Sequence, residues 1–168
     1  MFYLRAIFTS KEYSFMPIGN IVKDGCIKAV IDYYKSLGDK YYDDFVDMIV
    51  FDVVILNTDR HFGNFGFMVD NHTNKICTTA SLFDHGLSLL TYARDDDLQD
   101  WETYAKTRVP ATYSDFTGLA QQLMGDEERE KFCRLINFKL KKHSRYNWKE
   151  EHLVALSKLI RYRVGLIL

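Results

Sequence analysis

The chain is poor in cysteine and proline and lacks a long hydrophobic run. Its 168 residues include three cysteines, Cys26, Cys77 and Cys133, which are widely spaced and form no C-x-x-C motif. An odd, scattered set argues against a disulfide framework or a zinc knuckle and is usual in a reducing compartment. Two prolines and no Pro/Ser-rich tract argue against a disordered linker. We therefore predict a cytoplasmic protein that folds without disulfides.

Membrane insertion and secretion are not expected either. The longest apolar stretch, residues 48 to 56, is interrupted by Asp52 and is far shorter than the roughly 20 residues that a membrane-spanning helix needs. Residues 1 to 8 carry Arg5 within an apolar run and lack a small-residue cleavage site, which is not typical of a secretory signal. We interpret them as an internal strand or a helix edge, and we expect no membrane partner.

Charge is balanced in total but uneven along the chain. The 22 basic and 23 acidic residues nearly cancel, yet residues 131 to 168 carry a net +8 and residues 1 to 130 a net −9. Such a basic segment can face nucleic acid, an acidic partner or the acidic remainder of the same protein. Because no aromatic residues alternate with the basic ones, solvated helix faces are favoured.

Apolar periodicity predicts a mainly α-helical fold with one small β-hairpin. Helical spacing covers residues 21 to 37, before Gly38, and residues 42 to 56. Two β-prone runs, residues 65 to 69 and 75 to 79, flank a turn-rich stretch and predict the hairpin. A polar stretch follows, and helical spacing returns at residues 114 to 124, 126 to 142 and 149 to 168. Since no repeat or linker is visible, we predict a single domain over residues 1–168.

Two polar segments lie on either side of the predicted hairpin. Residues 57 to 64 are Asn-Thr-Asp-Arg-His-Phe-Gly-Asn, and residues 82 to 86 are Leu-Phe-Asp-His-Gly. The D-x-x-x-x-N spacing of Asp59 and Asn64 lets a carboxylate face a substrate hydroxyl while an amide oxygen reaches a cation. A hairpin that folds back can bring Asp84 to that cation. Mg²⁺ prefers hard oxygen ligands, so Asn64 and Asp84 are candidate metal ligands and Asp59 is a candidate proton acceptor.

These segments resemble the C-terminal lobe of HipA-like serine/threonine kinases, in which an N-x-D-x-H-x-x-N loop is followed by an F-D segment. They are more distantly similar to phosphoinositide-type kinases and to the H-R-D and D-F-G elements of protein kinases. The approach helix, residues 51 to 56, also resembles the family. The residues that carry the likeness are Asn57, Asp59, His61, Asn64, Phe83 and Asp84.

The resemblance implies a kinase C-lobe-like helical domain that transfers phosphate from ATP to a protein Ser or Thr. Asp59 would position or deprotonate the acceptor hydroxyl, while Asn64 and Asp84 would hold Mg²⁺ on ATP. Asn57 and His61 would brace the loop.

The segment that follows Asp84 departs from the D-F-G pattern. His85 takes the place of the aromatic residue, so the switching behaviour of that position is not carried over. Gly86 would also brace the loop, in a turn that a side chain would obstruct.

The resemblance also implies that a second lobe is needed. Kinases of this kind require a loop over the phosphates and a lysine that pairs with them, usually in a strand-rich lobe before the catalytic loop. Only 58 residues precede Asp59, and Gly19 lies in no G-x-G-x-x-G motif. We expect the N-terminal lobe to be absent here and to come from another polypeptide or a missing N-terminal segment. Further implied partners are a protein substrate and an antitoxin-type DNA-binding protein.

Two other functions remain open. Asp59, His61, Asp84 and His85 are also suitable ligands for a metal-dependent phosphohydrolase, although that interpretation gives Asn64 and Gly86 no role. The chain is alternatively a non-catalytic subunit or binding module of a toxin-antitoxin-type complex.

The basic segment generates a testable prediction. We expect residues 131 to 168 to neutralise acidic groups or dock a protein, so the chain should show no submicromolar affinity for duplex DNA. Fluorescence anisotropy of a labelled duplex at several salt concentrations measures this. Submicromolar binding that falls steeply with salt would contradict the prediction, because true phosphate contacts release counterions.

Overall fold

The computed structural model describes residues 10–23, 25–145 and 148–168. The chain divides into two compact units. The first, called the sheet unit, comprises the described residues up to Phe45 and Arg60–Asp84. The second, called the helical unit, comprises Val46–Asp59 and the described part of His85–Leu168. The strand or helix predicted for residues 1 to 8 lies outside the described residues.

The sheet unit contains a three-stranded antiparallel sheet in the order β1-β2-β3. The strands are β1 (Tyr13–Pro17), β2 (Gly66–Asp70) and β3 (Ile76–Thr79). Strands β2 and β3 form the hairpin predicted from the sequence, with Phe67 opposite Thr79 and a register shift between Met68 and Val69. The fold is therefore mainly helical with a small antiparallel sheet, larger than the predicted hairpin by one strand.

Strand β1 was not predicted. It pairs with β2 from Tyr13 opposite Asp70 to Pro17 opposite Gly66. Its five residues are too few to show clear alternation, and the partner strand lies about fifty positions further along the chain. Pro17 also argues against a strand, but a proline is tolerated at the end of an edge strand.

The hairpin turn is stabilised by the Asp70 side chain. Its Oδ1 accepts hydrogen bonds from the backbone N–H groups of His72 and Thr73, each at 2.8 Å. These bonds to the charged form hold the pKa of the Asp70 carboxyl below its usual value. Asn74 follows with a φ of 55°, a left-handed conformation that asparagine tolerates.

The described part of the sheet unit also contains a 3₁₀ helix (Ile18–Asn20) and two α-helices, α1 (Ile27–Leu37) and the first part of α2 (Asp39–Ile55). Tyr34 of α1 stacks on Phe45 of α2 at 4.7 Å and lies 4.9 Å from Phe67 of β2, measured between ring centroids. Burial raises the pKa of the Tyr34 hydroxyl, and the Asp44 carboxylate adds to this effect. The aromatic cluster is thus the core of this unit.

The predicted bounds of α1 and α2 require correction. The first predicted helix starts six residues too early, because Gly25 has a φ of 66° and helical structure begins only at Ile27. The second begins three residues earlier than predicted, at Asp39, directly after Gly38. Gly38 has a φ of 109°, which separates the two helices.

The helical unit contains the rest of α2 and five further helices among the described residues. These are α3 (Asp95–Gln99), α4 (Trp101–Lys106), α5 (Phe116–Leu123), α6 (Asp126–Cys133) and α7 (Glu150–Ile167). Helix α7 packs along α3, α4 and α5. Its buried face includes Leu156, Leu159, Ile160 and Val164.

Helices α3 and α4 lie in the region that the sequence analysis left as a polar stretch. Both are short, and a side chain satisfies a backbone N–H group at the start of each. The Asp97 carboxylate accepts a hydrogen bond from the Arg94 N–H at 2.8 Å, and Asp100 accepts one from the Thr103 N–H at 3.3 Å. Acidic side chains at a helix start satisfy free N–H groups and favour the helix dipole.

Helix α6 ends much earlier than predicted. Helical spacing suggested residues 126 to 142, but the helix ends at Cys133. Beyond it, Leu135 N donates to Phe132 O and Ile136 N donates to Cys133 O, which are three-residue turns rather than α-helical bonds. Apolar periodicity does not distinguish a series of such turns from a helix.

The carboxyl end of α7 is capped by a side chain. Arg129 Nη1 donates to the carbonyl oxygens of Ile167 and Leu168 at 3.0 and 3.1 Å. A cation at this position satisfies free carbonyls and favours the helix dipole. No helix among the described residues combines the length and apolar character needed to cross a membrane.

The sheet generates a prediction about Gly66. A Cβ at this position would overlap the Met16 carbonyl oxygen and lie 2.8 Å from the Ile18 nitrogen. We expect Gly66→Ala to lower the free energy of unfolding by about 2 kcal/mol or more, since strand β1 must move away. Urea denaturation measures the loss.

The matched control is Gly86→Ala. A Cβ at Gly86 meets nothing within 4 Å, so a change within about 0.5 kcal/mol is expected. Equal denaturation midpoints for Gly66→Ala and Gly86→Ala would contradict the predicted clash.

Candidate functional site

Helix α2 leads directly into the candidate catalytic loop through a strained turn. Leu56 has a φ of 55°, which is uncommon for a residue other than glycine. The following N–H, that of Asn57, donates to Asp52 O at 2.9 Å and closes the helix end. Leu56 is fully buried, so its packing holds the backbone in this conformation.

Asn57 links the helix to the loop through both ends of its side chain. Its Nδ2 donates to Asp52 Oδ1 at 2.8 Å, and its Oδ1 accepts from the Asp59 N–H at 3.2 Å. Asn57 and Asp52 are both fully buried. These bonds are of the kind expected for the loop-bracing role of Asn57, and they lie within the helical unit.

Asp52 is a residue to which the sequence analysis assigned no role. It interrupts the longest apolar run of the chain, and this interruption was the available signal. A buried carboxylate is retained only where donors satisfy it, and Asn57 is one such donor.

Arg60 is the most informative residue that the sequence analysis missed. Its side chain is 0% exposed. Nη1 donates to Asn64 O at 2.8 Å and to Phe83 O at 3.0 Å. One guanidinium therefore joins the backbone at a candidate magnesium ligand to the backbone directly before the other candidate, Asp84. All of these residues belong to the sheet unit.

The segment before Asp84 is held by packing as well. The Phe83 ring meets the Phe15 ring of β1 edge to face, with centroids 5.2 Å apart. Asp84 itself is exposed and has a φ of 57°. A left-handed conformation in a residue other than glycine is found most often in turns and at functional sites. The Asp84 carboxylate is thus accessible to solvent, while the preceding residue, Phe83, is held by its contacts with Arg60 and Phe15.

Asn64 lies in a turn that begins at His61. The Asn64 N–H donates to His61 O at 2.8 Å, and the residue is only 5% exposed. The exposed His61 ring accepts a hydrogen bond from the Gly63 N–H at Nδ1, at 3.0 Å. This contact is consistent with a bracing role for His61 rather than that of a base.

The residues after Asp84 are attached within the helical unit. The His85 ring meets the Phe51 ring of α2 edge to face, with centroids 5.5 Å apart. Thr58 Oγ1 donates to Leu87 O at 3.3 Å. The steric reason we expected for Gly86 is not met, because space is open around a Cβ there and its φ is not positive.

The predicted site residues therefore fall into two groups. Asn64 and Asp84 lie in segments that Arg60 joins within the sheet unit. Asp59 belongs to the helical unit, where Asn57 holds its backbone N–H.

The described residues contain no group of three or more His, Cys, Asp or Glu side chains suited to a metal ion. The phosphohydrolase interpretation, which requires such a group, gains no support from them. Amide and carboxylate oxygens, the donor types of Asn64 and Asp84, are among the hard ligands that Mg²⁺ takes together with phosphates and water.

Comparison with protein families, with curated proteins and with solved structures found no match for this chain.

The Arg60 contacts generate a prediction. Replacing Arg60 with methionine removes the hydrogen bonds that the guanidinium donates to the Asn64 and Phe83 carbonyls, and hydrogen bonds to charged groups contribute about 1.5–3 kcal/mol each. We expect Arg60→Met to lower the free energy of unfolding by about 3 kcal/mol, measured by urea denaturation. Arg134→Met is the control, because the Arg134 side chain is 77% exposed and little change is expected. Equal stability of the two variants would show that the Arg60 contacts contribute little.

Proposed function

We propose that this chain carries the catalytic loop and the metal-binding segment of a HipA-like serine/threonine kinase. The reaction is transfer of the γ-phosphoryl group of ATP to a hydroxyl of a protein substrate. The observation that carries the proposal is the double hydrogen bond of Arg60, which joins the segments of Asn64 and Asp84.

The pairing of these segments is what a magnesium–nucleotide site needs. A complete β-hairpin separates Asn64 from Phe83 in the chain, so the binding of both backbone carbonyls by one guanidinium is not a consequence of sequence proximity. Asn64 and Asp84 would hold Mg²⁺, which would supply neutralisation of the charge that develops on the transferred phosphoryl group. The exposed position of Asp84 leaves its carboxylate accessible to a nucleotide.

Asp59 is proposed as the residue that positions the substrate hydroxyl and accepts its proton. This role requires that the backbone carrying the carboxylate is conformationally restrained, because proton transfer depends on hydrogen-bond geometry. The Asn57 side chain supplies such a restraint by binding both the Asp59 N–H and the Asp52 carboxylate.

A phosphate-covering lobe is proposed to come from another polypeptide or from an N-terminal segment beyond these residues. Gly19 is the glycine that the sequence analysis considered for this purpose. Its N–H donates to Phe62 O at 3.0 Å, and a Cβ there would lie 3.2 Å from Phe62 Cβ. Gly19 thus packs against Phe62 and is not part of an open phosphate-covering loop. This contact supports the proposal that the lobe has a separate source. An antitoxin-type DNA-binding partner is part of the same proposal.

The test compares Asp59→Asn with wild type in whichever assembly transfers phosphate. The amide keeps the size of the side chain but is a far weaker proton acceptor, so we expect a fall in rate of about 10²–10⁴-fold with the circular dichroism spectrum unchanged. Phosphate transfer from radiolabelled Mg-ATP measures the rate. Asp96→Asn, on the exposed face of α3, is the control and should retain the wild-type rate.

Asp84→Ala separates metal binding from proton transfer. This variant should weaken Mg-ATP binding as well as the rate, which titration calorimetry detects, whereas Asp59→Asn should leave binding nearly unchanged. Equal rates for wild type and Asp59→Asn would overturn the catalytic assignment. Micromolar Mg-ATP affinity with autophosphorylation by the chain alone would overturn the need for a further lobe.

A further inference from the structure

A cavity in the helical unit lies among residues to which the proposed function assigns no role. Its volume is about 270 Å³. It is bounded by the end of α4, the following loop, the start of α5 and the last turns of α7. Binding pockets for small molecules are commonly about 300–1,000 Å³, so this one suits a compact ligand.

The charged residues that line the cavity are mostly basic. Lys106, Arg108 and Arg163 stand against a single acidic residue, Asp115. The Asp115 carboxylate is already engaged, because it accepts hydrogen bonds from the Thr117 and Gly118 N–H groups at 3.0 and 2.8 Å. Although desolvation opposes them, these bonds and the nearby Arg163 guanidinium hold the pKa of Asp115 below its usual value. The cavity therefore has an excess of positive charge.

Arg163 is the inner cation of this set and is only 6% exposed. Its Nε donates to Val53 O at 2.9 Å, and its guanidinium lies over the Phe116 ring, 5.0 Å from the centroid. The guanidinium is thus held in place on two sides. Its Nη2, however, is buried and has no hydrogen-bond partner among the residues that the structure describes.

An unpartnered buried nitrogen of a cation is costly. Leaving a buried donor unsatisfied costs about 1–3 kcal/mol, and more for a charged group. An arginine remains protonated in proteins, so it does not escape this cost by losing its proton. Such a group is therefore expected where an acceptor binds, and an anionic oxygen is the acceptor that a guanidinium prefers.

The lining also has an apolar part, beside the polar residues Ser114, Thr117 and Tyr162. The Phe116 ring, Val109 and Leu166 contribute to it, and Val109 is 67% exposed. A ligand that carries both an acidic group and a small apolar body would satisfy the guanidinium and cover these side chains together. Inorganic phosphate would do only the first.

We propose that this cavity binds a small organic anion, meaning a carboxylate or phosphate monoester attached to an apolar group about the size of one aromatic ring. The acidic group accepts a hydrogen bond from Arg163 Nη2 and pairs with Arg108 at the entrance. The apolar body packs on Phe116, Val109 and Leu166. The site includes none of Asp59, Asn64 and Asp84. Anion binding at the cavity can therefore be tested independently of the proposed kinase activity.

The test is a titration of the isotope-labelled chain with phenyl phosphate and with benzoate in magnesium-free buffer, followed by amide NMR shifts. We expect saturable one-to-one binding of at least one of them, with shifts concentrated at residues 105–118 and 162–166. Phenol has the same body without the charge and should bind at least 10-fold more weakly.

Three variants test the assignment. Arg108→Gln should weaken binding about 10-fold, the effect of losing one charge-assisted contact. Arg163→Lys keeps the charge but not the fork geometry and should also weaken binding, provided that its spectrum is that of a folded chain. Lys158→Gln removes the same charge from an exposed position of α7 and should leave the affinity unchanged.

The proposal would be overturned by any of three results. The first is absence of saturable shifts at the cavity with either anion, and the second is equal binding of phenol. The third is an equal loss of affinity in Lys158→Gln and Arg108→Gln, which would indicate only a general attraction of anions to basic residues. If Arg163→Lys does not fold, Arg108→Gln and the phenol comparison still decide the outcome.

Discussion

The buried guanidinium of Arg60 is the interaction on which the candidate site depends. It donates to two carbonyl oxygens that lie on opposite sides of the hairpin in sequence, those of Asn64 and Phe83. Because a buried cation is costly without acceptors, the folded sheet unit is strongly favoured only when both segments are in place. The same contact that satisfies the charge therefore sets the positions from which Asn64 and Asp84 extend.

The surroundings of Arg60 strengthen this dependence. The Phe83 ring packs on Phe15 of β1, and β1 is in turn paired with β2. Strand β1 thus supports the hairpin on one side and the segment before Asp84 on the other. The directional hydrogen bond from Arg60 and the less directional Phe83–Phe15 ring contact act on the same residue. Together they restrict the backbone directly before Asp84.

The predictable part of the fold was that set by local patterns. Strands β2 and β3 show alternation next to strong turn residues, and the Asp70 turn follows from known side-chain chemistry. Strand β1, helices α3 and α4, and the end of α6 depend on distant pairing, capping and three-residue turns, which apolar periodicity does not encode. For the site, the motif residues were visible in the sequence. Arg60 and Asp52 were not, because their importance comes from being buried, and burial is decided by residues far away in the chain.

Leu56 shows how narrow the tolerance for change is at the entry to the loop. Its left-handed backbone costs about 1–3 kcal/mol in a residue other than glycine, while full burial of its side chain contributes about 1.5–3 kcal/mol. A glycine at this position would remove the backbone cost but lose the energy of side-chain burial. A β-branched residue would increase the backbone cost. Position 56 therefore favours an apolar side chain that is not branched at Cβ. The constraint comes from the local backbone conformation and from burial. Natural variants of this sequence should therefore accept fewer residue types at position 56 than its apolar character alone would allow.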